Sequence, residues 1–210
     1  MSDNGLAEAA REESATAKPS VIIGDDGRAR CRWAASDPEY LRYHDEEWGT
    51  PLHGDQRLYE KLCLEGFQAG LSWITILRRR PAFREVFHDF DPKRVAIMDD
   101  AEIEAAMLDA RIIRNRAKVL STIKNARLTL ELVEDHPGAL DKLLWSFAPP
   151  SRAERLTALA EIPAVTTEST AMSKALRAQG FGFVGPTTMY ALMQSAGMVD
   201  DHVEGCWRAA

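Results

Sequence analysis

The stretch that decides the fold, Cys63–Trp73, reads CLEGFQAGLSW. A helical pattern enters it from the N-terminal side and ends in a glycine-rich turn at residues 66–70, and a second helix begins at Ser72. Glycine favours the end of a helix because it adopts left-handed backbone angles at little cost. The stretch therefore predicts two helices joined by a turn, with Glu65 and Trp73 on either side of it.

Helical patterns also surround this stretch. Upstream, residues 36–49 offer Ser36 or Asp37 as an N-cap, Pro38 at the first helical position and Gly49 as a stop. Two helices are expected beside the turn, from Asp55 and from Ser72 to Pro81, and six more segments have apolar residues three and four positions apart: 91–100, 100–110, 114–135, 138–147, 169–180 and 185–197. Because no segment shows strict alternation, the sequence predicts an all-α fold, a compact bundle of short helices.

Length, composition and cysteine content narrow the class of protein. The chain has 210 residues, of which 45% are hydrophobic, enough to bury one substantial core or two small lobes that share one. No apolar run approaches the ~20 residues that cross a bilayer, and the N-terminus lacks the pattern of a signal peptide. Three cysteines, an odd number, do not form a disulfide framework. We therefore expect a cytoplasmic protein without membrane contact, whose cysteines are buried or bind a metal.

One segment is strongly basic, although the formal net charge of the chain is -6. Residues 110–130 contain no acidic residue and carry these cations: Arg111, Arg114, Arg116, Lys118, Lys124 and Arg127. Two interpretations stay open from composition alone, a surface that faces nucleic-acid phosphates and an ordinary solvated helix face. The acidic total argues against a protein that coats nucleic acid without selectivity.

The N-terminal residues differ from the rest in composition. Residues 1–30 mix Ser, Ala, Glu, Gly and Asp with few large apolar side chains and show no sustained period. Such a segment buries too little apolar surface to fold on its own. We expect a mobile extension over residues 1–30 and one folded domain over residues 31–210.

Histidine and cysteine residues at the two ends of the folded part suggest a metal site. His202 and Cys206 are three residues apart and would share one side of a helix. Cys31 and His44 lie near the start, and the four together have the donor set of a structural zinc site that joins the two ends. From spacing alone, an alternative stays open in which the cysteines are small buried side chains and the histidines are surface or capping residues. Cys63 has no such neighbour and is expected in the core.

Several motifs occur in an order that is specific to one group of proteins. They are CLEGFQAGLSW at 63–73, YHDEEWG at 43–49, FVGPTTMYALMQSAGMVDDH at 183–202 and the residues Cys31, His44, His202 and Cys206. With them the sequence resembles the 3-methyladenine DNA glycosylase I family over residues 31–206. The resemblance implies a helical fold of the helix-hairpin-helix glycosylase type, in which those four residues bind a structural Zn²⁺ that clasps the N- and C-terminal ends.

The resemblance also implies an activity. An enzyme of this family flips 3-methyladenine out of alkylated double-stranded DNA and hydrolyses its N-glycosidic bond, which leaves an abasic site. Glu65 matches the carboxylate that recognises the base and is the expected catalytic-site residue. The base pocket would be walled by Tyr43, Trp73, Trp48, Trp33 and Tyr40. The family lacks the Asp with which many related glycosylases assist the water, so no general base is assigned.

Residues that would hold the DNA follow from the same resemblance. The family's hairpin falls at residues 109–118, where backbone N–H groups at a helix start would bind a phosphate. Candidate contacts there are Arg111, Arg114, Arg116 and Lys118. Arg111 and Ala117 stand where relatives can have Gly, so a turn that needs a positive φ would be altered. Gln68 and Leu71 are candidates for a wedge that enters the vacated base stack.

Two other classes of protein compete with this interpretation. A non-catalytic, zinc-stabilised nucleic-acid binding module would have the clasp and the basic segment but no use for an aromatic pocket beside a carboxylate. A zinc hydrolase needs an open coordination position at the metal, and four protein ligands leave none. One pocket per chain and an acidic surface favour a monomer.

Overall fold

A computed structural model of the protein describes residues 19–209. Helices dominate this part of the chain, and a two-stranded sheet precedes them. The strands are β1 (Val21–Ile23) and β2 (Ala29–Cys31). The α-helices are α1 (Pro38–Glu46), α2 (Asp55–Gln68), α3 (Trp73–Val86), α4 (Pro92–Val95), α5 (Asp100–Leu108), α6 (Arg116–Val133), α7 (Ala139–Trp145), α8 (Thr167–Ala178) and α9 (Pro186–Ser195). Short 3-10 helices cover Arg32–Ser36, His88–Phe90 and Leu159–Glu161. Each helical segment predicted from the sequence is thereby confirmed.

Capping residues explain where these helices begin. The Asp37 carboxylate accepts a hydrogen bond of 2.9 Å from the backbone N–H of Glu39, and Pro38 occupies the first helical position of α1. Asn115 caps α6 in the same way, with a 3.1 Å bond from the backbone N–H of Lys118. Each cap satisfies an N–H group that has no carbonyl partner inside its helix.

Helix α3 continues past Pro81, so the prediction that this proline closes the helix is wrong. A proline inside a helix removes one backbone hydrogen bond and costs about 3 kcal/mol. The continuation to Val86 brings Phe83 and Phe87 against Phe67, with ring centroids 4.6 and 5.8 Å from that of Phe67, and all three rings are buried. Burial of each phenylalanine contributes roughly 1.5–3 kcal/mol, which offsets the cost of the proline.

The hairpin of β1 and β2 was not predicted, because strands of three residues are too short to show alternation. The strands pair antiparallel. Arg30 is 4% exposed, and its guanidinium is 2.6 Å from Asp26 and 2.7 Å from Asp45. The boundary placed after residue 30 therefore falls inside packed structure, and the extension expected over residues 1–30 does not include residues 21–30. Residues 1–18 lie outside the described part.

Helix α2 forms the centre of the larger core. It contacts α3, α6, α7 and α9, and most of its side chains are buried, including Leu58, Tyr59 and Leu62. Cys63 is 4% exposed among them, which confirms it as a core residue. Because its end is packed from several sides, α2 carries Glu65 on a rigid support.

A second, smaller cluster of buried residues joins the two ends of the described chain. It consists of Cys31, Tyr43, Trp48, Leu77, Val203 and Cys206. The hairpin, α1 and the C-terminal segment meet here, beside the aromatic residues singled out in the sequence. No helix within residues 19–209 combines the length and apolar character needed to span a membrane.

Candidate active site

A cavity of about 320 Å³ opens between α1, α2, α3 and α9. Small-molecule sites in proteins have volumes of about 300–1,000 Å³, so this one suits a single small ligand. Its lining residues are Trp33, Ser36, Tyr40, Tyr43, Trp48, Glu65, Gln68, Trp73, Ile162, Ala191, Gln194 and Ser195. The structure thus brings all five predicted pocket aromatics together with Glu65.

Glu65 lies near the end of α2, at the buried side of the cavity. Glu65 is 3% exposed, and the Ser195 hydroxyl donates a 2.8 Å hydrogen bond to its Oε1. Burial raises the pKa of Glu65 to about 7, while the nearby positive charge of Lys61 and the Ser195 bond act in the opposite direction. Ser195 is the only hydrogen-bond donor to this carboxylate within residues 19–209, so lone pairs remain for a ligand in the cavity.

Aromatic rings form the walls of the cavity. Trp33 contacts Trp48 edge to face with centroids 5.1 Å apart, and Tyr43 contacts Trp73 with centroids 5.6 Å apart. The Tyr40 hydroxyl accepts a 2.9 Å hydrogen bond from the backbone N–H of residue 74 and so fixes the start of α3. Such a cage attracts a planar ring, and attracts it more strongly when the ring is positively charged.

The Trp73 indole offers a further polar group. Its Nε1 is buried and has no hydrogen-bond partner in the described part of the chain. Behind the wall, the Lys61 ammonium is 5.3 Å from the Tyr43 ring centroid and 5.6 Å from that of Trp73. Burial lowers the pKa of Lys61, and the Glu65 carboxylate works against this by favouring the cation.

Several lining residues were missed by the sequence analysis. Ser195, which bonds Glu65, is the last residue of α9, and its partner is 130 positions away along the chain. Gln194 lines the cavity and donates a 2.8 Å bond to the buried Asp201 carboxylate. Both occur in the motif at residues 183–202, but a Ser and a Gln at a helix end carry no chemical signal of their own. Only the packing of α9 against α2 reveals them.

Three of the four expected metal ligands form one buried group. Ligand atoms of Cys31, His44 and Cys206 all lie within 4.8 Å of one another. The Cys206 Sγ is 3.4 Å from His44 Nε2. A hydrogen bond shared by the two thiols lowers the pKa of Cys206 and raises that of Cys31. A buried pair of thiols against an imidazole is a donor set that suits a transition metal such as zinc.

His202, the fourth expected ligand, lies beside this group. Its ring centroid is 5.0 Å from that of His44. Its Nδ1 is 2.8 Å from an Asp200 oxygen, while its Nε2 is buried without a hydrogen-bond partner among the described residues. The prediction that His202 and Cys206 share a helix face is wrong, because both lie in the irregular segment after α9. The fold, not a helical repeat, brings them together.

The two histidines are oriented in the way that metal ligands usually are. His44 Nδ1 is 2.8 Å from Asp45 Oδ1, just as His202 Nδ1 faces Asp200, so both Nε2 atoms point inward. A buried, unpaired Nε2 costs stability unless a partner satisfies it. These residues therefore fit a bound metal. The pocket rests directly on them, since the Trp48 ring is 4.6 Å from that of His202.

The basic segment, residues 110–130, begins in the turn that follows helix α5, at residues 109–115, and continues in helix α6. No residue from 109 to 117 has a positive φ, so Arg111 and Ala117 cause no strain here. Arg111 bonds Asp109 and Glu85, and Arg116 is 2.5 Å from Glu104. The fold thus brings acids from neighbouring elements onto a segment that has none of its own.

Arg114 and Lys118 have different environments from these paired arginines. Arg114 is exposed and has no ion pair within residues 19–209. Lys118 is 7% exposed, and its ammonium donates 2.8 Å hydrogen bonds to the carbonyls of Phe67 and Ala69 at the end of α2. The expectation that Lys118 contacts a phosphate is therefore corrected, because its charge is used inside the protein. Its role is to tie α6 to the turn after α2.

The turn after α2 presents its side chains in two directions. Gln68 lines the cavity, and Leu71 is 42% exposed. Gly70 has φ 84°, the left-handed conformation expected at the end of a helix. The Lys118 ammonium holds the turn through its hydrogen bond to the Ala69 carbonyl. It therefore forms a fixed rim between the cavity and the solvent.

The fold and the cavity together define a helical protein with a site for one planar, positively charged ring beside a buried carboxylate. Residues 33–209 match the family described as Methyladenine glycosylase. The chain is 47% identical, over 84% of its length and 95% of the relative, to the DNA-3-methyladenine glycosylase 1 of Escherichia coli (strain K12). The chain belongs to the methyladenine glycosylase family.

Solved structures agree with this assignment. A crystal structure of 3-methyladenine DNA glycosylase I has a TM-score of 0.81 and 43% identity, covering 85% of this chain and 98% of that one. A variant of 3-methyladenine DNA glycosylase I in complex with 3-methyladenine has a TM-score of 0.78 and 34% identity, covering 84% of this chain and 95% of that one. The helical architecture described above is thus the one found in these glycosylases.

Proposed function

We propose that this chain is a DNA repair glycosylase that flips 3-methyladenine out of alkylated duplex DNA and hydrolyses its N-glycosidic bond. One observation carries the proposal: the buried Glu65 carboxylate faces a cavity of about 320 Å³ with aromatic walls. Membership of the methyladenine glycosylase family supports it. The products are the free base and an abasic site.

Recognition combines charge and hydrogen bonding. The methylated adenine is cationic, and an aromatic face attracts a cation by about 0.5–2 kcal/mol, more when water is excluded. An ionised Glu65 accepts hydrogen bonds only, so it takes the exocyclic amine of adenine and repels the carbonyl oxygen that guanine presents there. Undamaged adenine lacks the positive charge. The pocket therefore selects the damaged base without reading the surrounding sequence.

Catalysis follows from differential binding. Methylation at N3 already weakens the glycosidic bond, since the base departs as a neutral molecule. The protein has to extract the nucleotide, hold it and stabilise the departing base better than the intact nucleoside. Glu65 is the residue we assign to extracting and holding the cationic base, and the Ser195 hydroxyl at 2.8 Å from its Oε1 holds the carboxylate in position. Water completes the hydrolysis at the sugar.

We place the duplex across the hairpin at residues 109–115 and the turn after α2. The hairpin and the start of α6 are proposed to act as a helix-hairpin-helix element, with backbone N–H groups directed at a phosphate. Arg114, exposed and without an ion pair in the described chain, supplies a direct phosphate contact. Arg111 and Arg116 contribute after exchanging their carboxylate partners for phosphate.

Gln68 and Leu71 fill the space that the flipped base leaves. Replacing both by Ala is expected to lower the excision rate on duplex DNA about tenfold, because the wedge that stabilises the open stack is lost. Binding of free 3-methyladenine by Leu71→Ala should stay as in the native protein, since Leu71 does not line the cavity. Excision kinetics on a methylated duplex measure the effect, and an unchanged rate in the double variant would remove the wedge.

Cys31, His44, His202 and Cys206 are proposed to hold one structural Zn²⁺. The buried Nε2 of His202, which has no hydrogen-bond partner in residues 19–209, supports its inclusion as the fourth ligand. Four protein ligands leave no position for a catalytic water, so the ion supplies stability rather than chemistry. It would tie the β-hairpin formed by β1 and β2, together with α1, to the C-terminal segment behind the aromatic wall.

We further propose that the protein acts as a monomer in the cytoplasm. The three cysteines are unpaired, as expected in a reducing compartment, and the pocket is built from one chain.

Release of free 3-methyladenine from methylated duplex DNA tests the proposed function directly. The native protein should release this base and leave undamaged adenine in place. Chromatography of the released bases measures both quantities. If the protein binds the duplex but releases no base, the proposal fails in favour of a binding module.

A further inference from the structure

The loop between α8 and α9 contains a strained and exposed aromatic residue. Phe183 has φ 56°, in the left-handed region, and is 39% exposed, whereas its neighbours Phe181 and Val184 are 4% and 1% exposed. A left-handed backbone is unfavourable for a residue with a side chain, because its Cβ comes too close to the following carbonyl oxygen. Glycine or asparagine at this position would relieve the strain. A partly exposed apolar ring recovers little of that cost through burial.

The surrounding contacts fix this strained conformation. The Asn125 amide donates a 3.2 Å hydrogen bond to the Gly182 carbonyl and accepts a 2.9 Å bond from the Gly182 N–H. A Cβ atom on Gly182 would lie 2.2 Å from the Ser121 hydroxyl oxygen, so a larger residue there would require Ser121 to move. Phe183 is therefore held outward by a rigid support on α6.

Phe183 lies beside the turn after α2. The Lys118 ammonium, which bonds the carbonyls of Phe67 and Ala69, is 5.7 Å from the centroid of the Phe183 ring. A Cβ atom on Gly66 would be 3.1 Å from the Phe183 Cβ, which places the end of α2 directly against it. One cation thus links the start of α6, the turn and Phe183.

We propose that Phe183 is a second apolar contact with the duplex, which stacks against the nucleotides flanking the extrahelical base. This inference rests on the proposed function, because it takes alkylated duplex DNA as the ligand. The exposed ring gains its burial only when another surface covers it, and backbone strain held by the surrounding structure is typical of ligand contacts. In the proposed complex the duplex lies across the rim that carries Leu71 and contacts the Arg114 side chain. Phe183 lies beside that rim.

The test compares Phe183→Gly, Phe183→Tyr and Ile97→Ala. Phe183→Gly removes the ring and suits the left-handed backbone, so duplex affinity should fall about tenfold while Tm stays equal or rises. Phe183→Tyr keeps a stacking ring and should retain native affinity. Ile97, which is 79% exposed, serves as the control for loss of an exposed apolar side chain.

Three measurements separate the possible results: affinity for a short duplex that contains an abasic-site analogue, binding of free 3-methyladenine, and Tm. Loss of duplex affinity by Phe183→Gly, with free-base binding and Tm preserved, supports the inference. Equal duplex affinity in native protein and Phe183→Gly overturns it, as does a loss of affinity that accompanies a lower Tm. If native protein releases no base, the proposed function fails, and the affinity comparison still decides the contact.

Discussion

Glu65→Gln is expected to lower kcat/KM for release of 3-methyladenine about 100-fold. The substitution keeps the shape of the side chain and removes its charge, so a charge-assisted hydrogen bond to the base becomes a neutral one in a dry site. Burial of Glu65, which is 3% exposed, prevents water from replacing the lost interaction. Single-turnover excision from methylated duplex measures the loss.

The matched control is Glu60→Gln, on the same helix. Glu60 pairs with Arg84 at 2.7 Å and does not line the cavity. It should release base at the native rate. Equal release by Glu65→Gln and the native protein would leave the enzyme in place but remove Glu65 from base recognition.

The raised pKa of Glu65 adds a pH dependence to the same experiment. The profile of kcat/KM reports groups of the free enzyme, so activity should fall as the pH drops through about 7, where the carboxylate takes up a proton. Glu65→Gln should lose this acid limb. Behind the aromatic wall, the charges that act on Lys61 are those of Glu65, Glu47, Arg80 and Glu60.

As the pH rises, the stability of the fold should decrease, whereas the activity should increase. Folding raises the pKa of Glu65 from 4.5 to about 7, so ionisation opposes folding, and stability falls as the pH rises between these values. Above about pH 7 the cost is complete and amounts to on the order of 1–3 kcal/mol. Glu65→Gln removes it and should raise the free energy of unfolding near pH 8, which chemical denaturation measures.

Cys206→Ala is expected to abolish zinc binding and to lower the free energy of unfolding by several kcal/mol. A structural zinc site contributes binding energy directly to folding. The four proposed ligands connect the β-hairpin formed by β1 and β2, helix α1 and the C-terminal segment. Metal analysis of the purified protein should give one zinc per chain for the native protein and none for the variant. Denaturation with and without a chelator measures the loss of stability.

Cys63→Ala is the control for this substitution. Cys63 is a buried cysteine without a metal-binding neighbour, so the variant should keep one zinc and lose only the packing of its sulfur. Full zinc content and native stability in Cys206→Ala would remove the clasp. A stable variant without zinc would show instead that the four residues bind the ion without holding the fold.

The sequence predicted the helices well and the tertiary environment of charged residues poorly. Caps such as Asp37 and Asn115 act locally, so their effect is readable from neighbouring positions. Lys118 was assigned to DNA because it lies in a basic segment, yet its charge binds carbonyls at the end of α2. Such a partner, 49 positions away in the case of Ala69, has no signal in the local sequence.

Pro81 is a second position where a local sequence rule failed because of tertiary packing. The local rule that proline ends a helix failed, because the gain from burying Phe83 and Phe87 in the core exceeds the local cost. The β-hairpin was missed for a related reason, since its short strands are stabilised by Arg30 and its two carboxylate partners rather than by a long pattern.

The sequence by itself determined the helical fold, the membership of the family and the residue types available for the site. Its motifs contain the Glu65 carboxylate, the pocket aromatics Tyr43, Trp48 and Trp73, and the four Cys and His residues. Only the tertiary structure decided what surrounds them: Ser195 on Glu65, acids on Arg111 and Arg116, and Asp200 behind His202. Helix propensity and capping act over a few residues, whereas pKa, metal affinity and exposure depend on groups that meet only after the chain has folded.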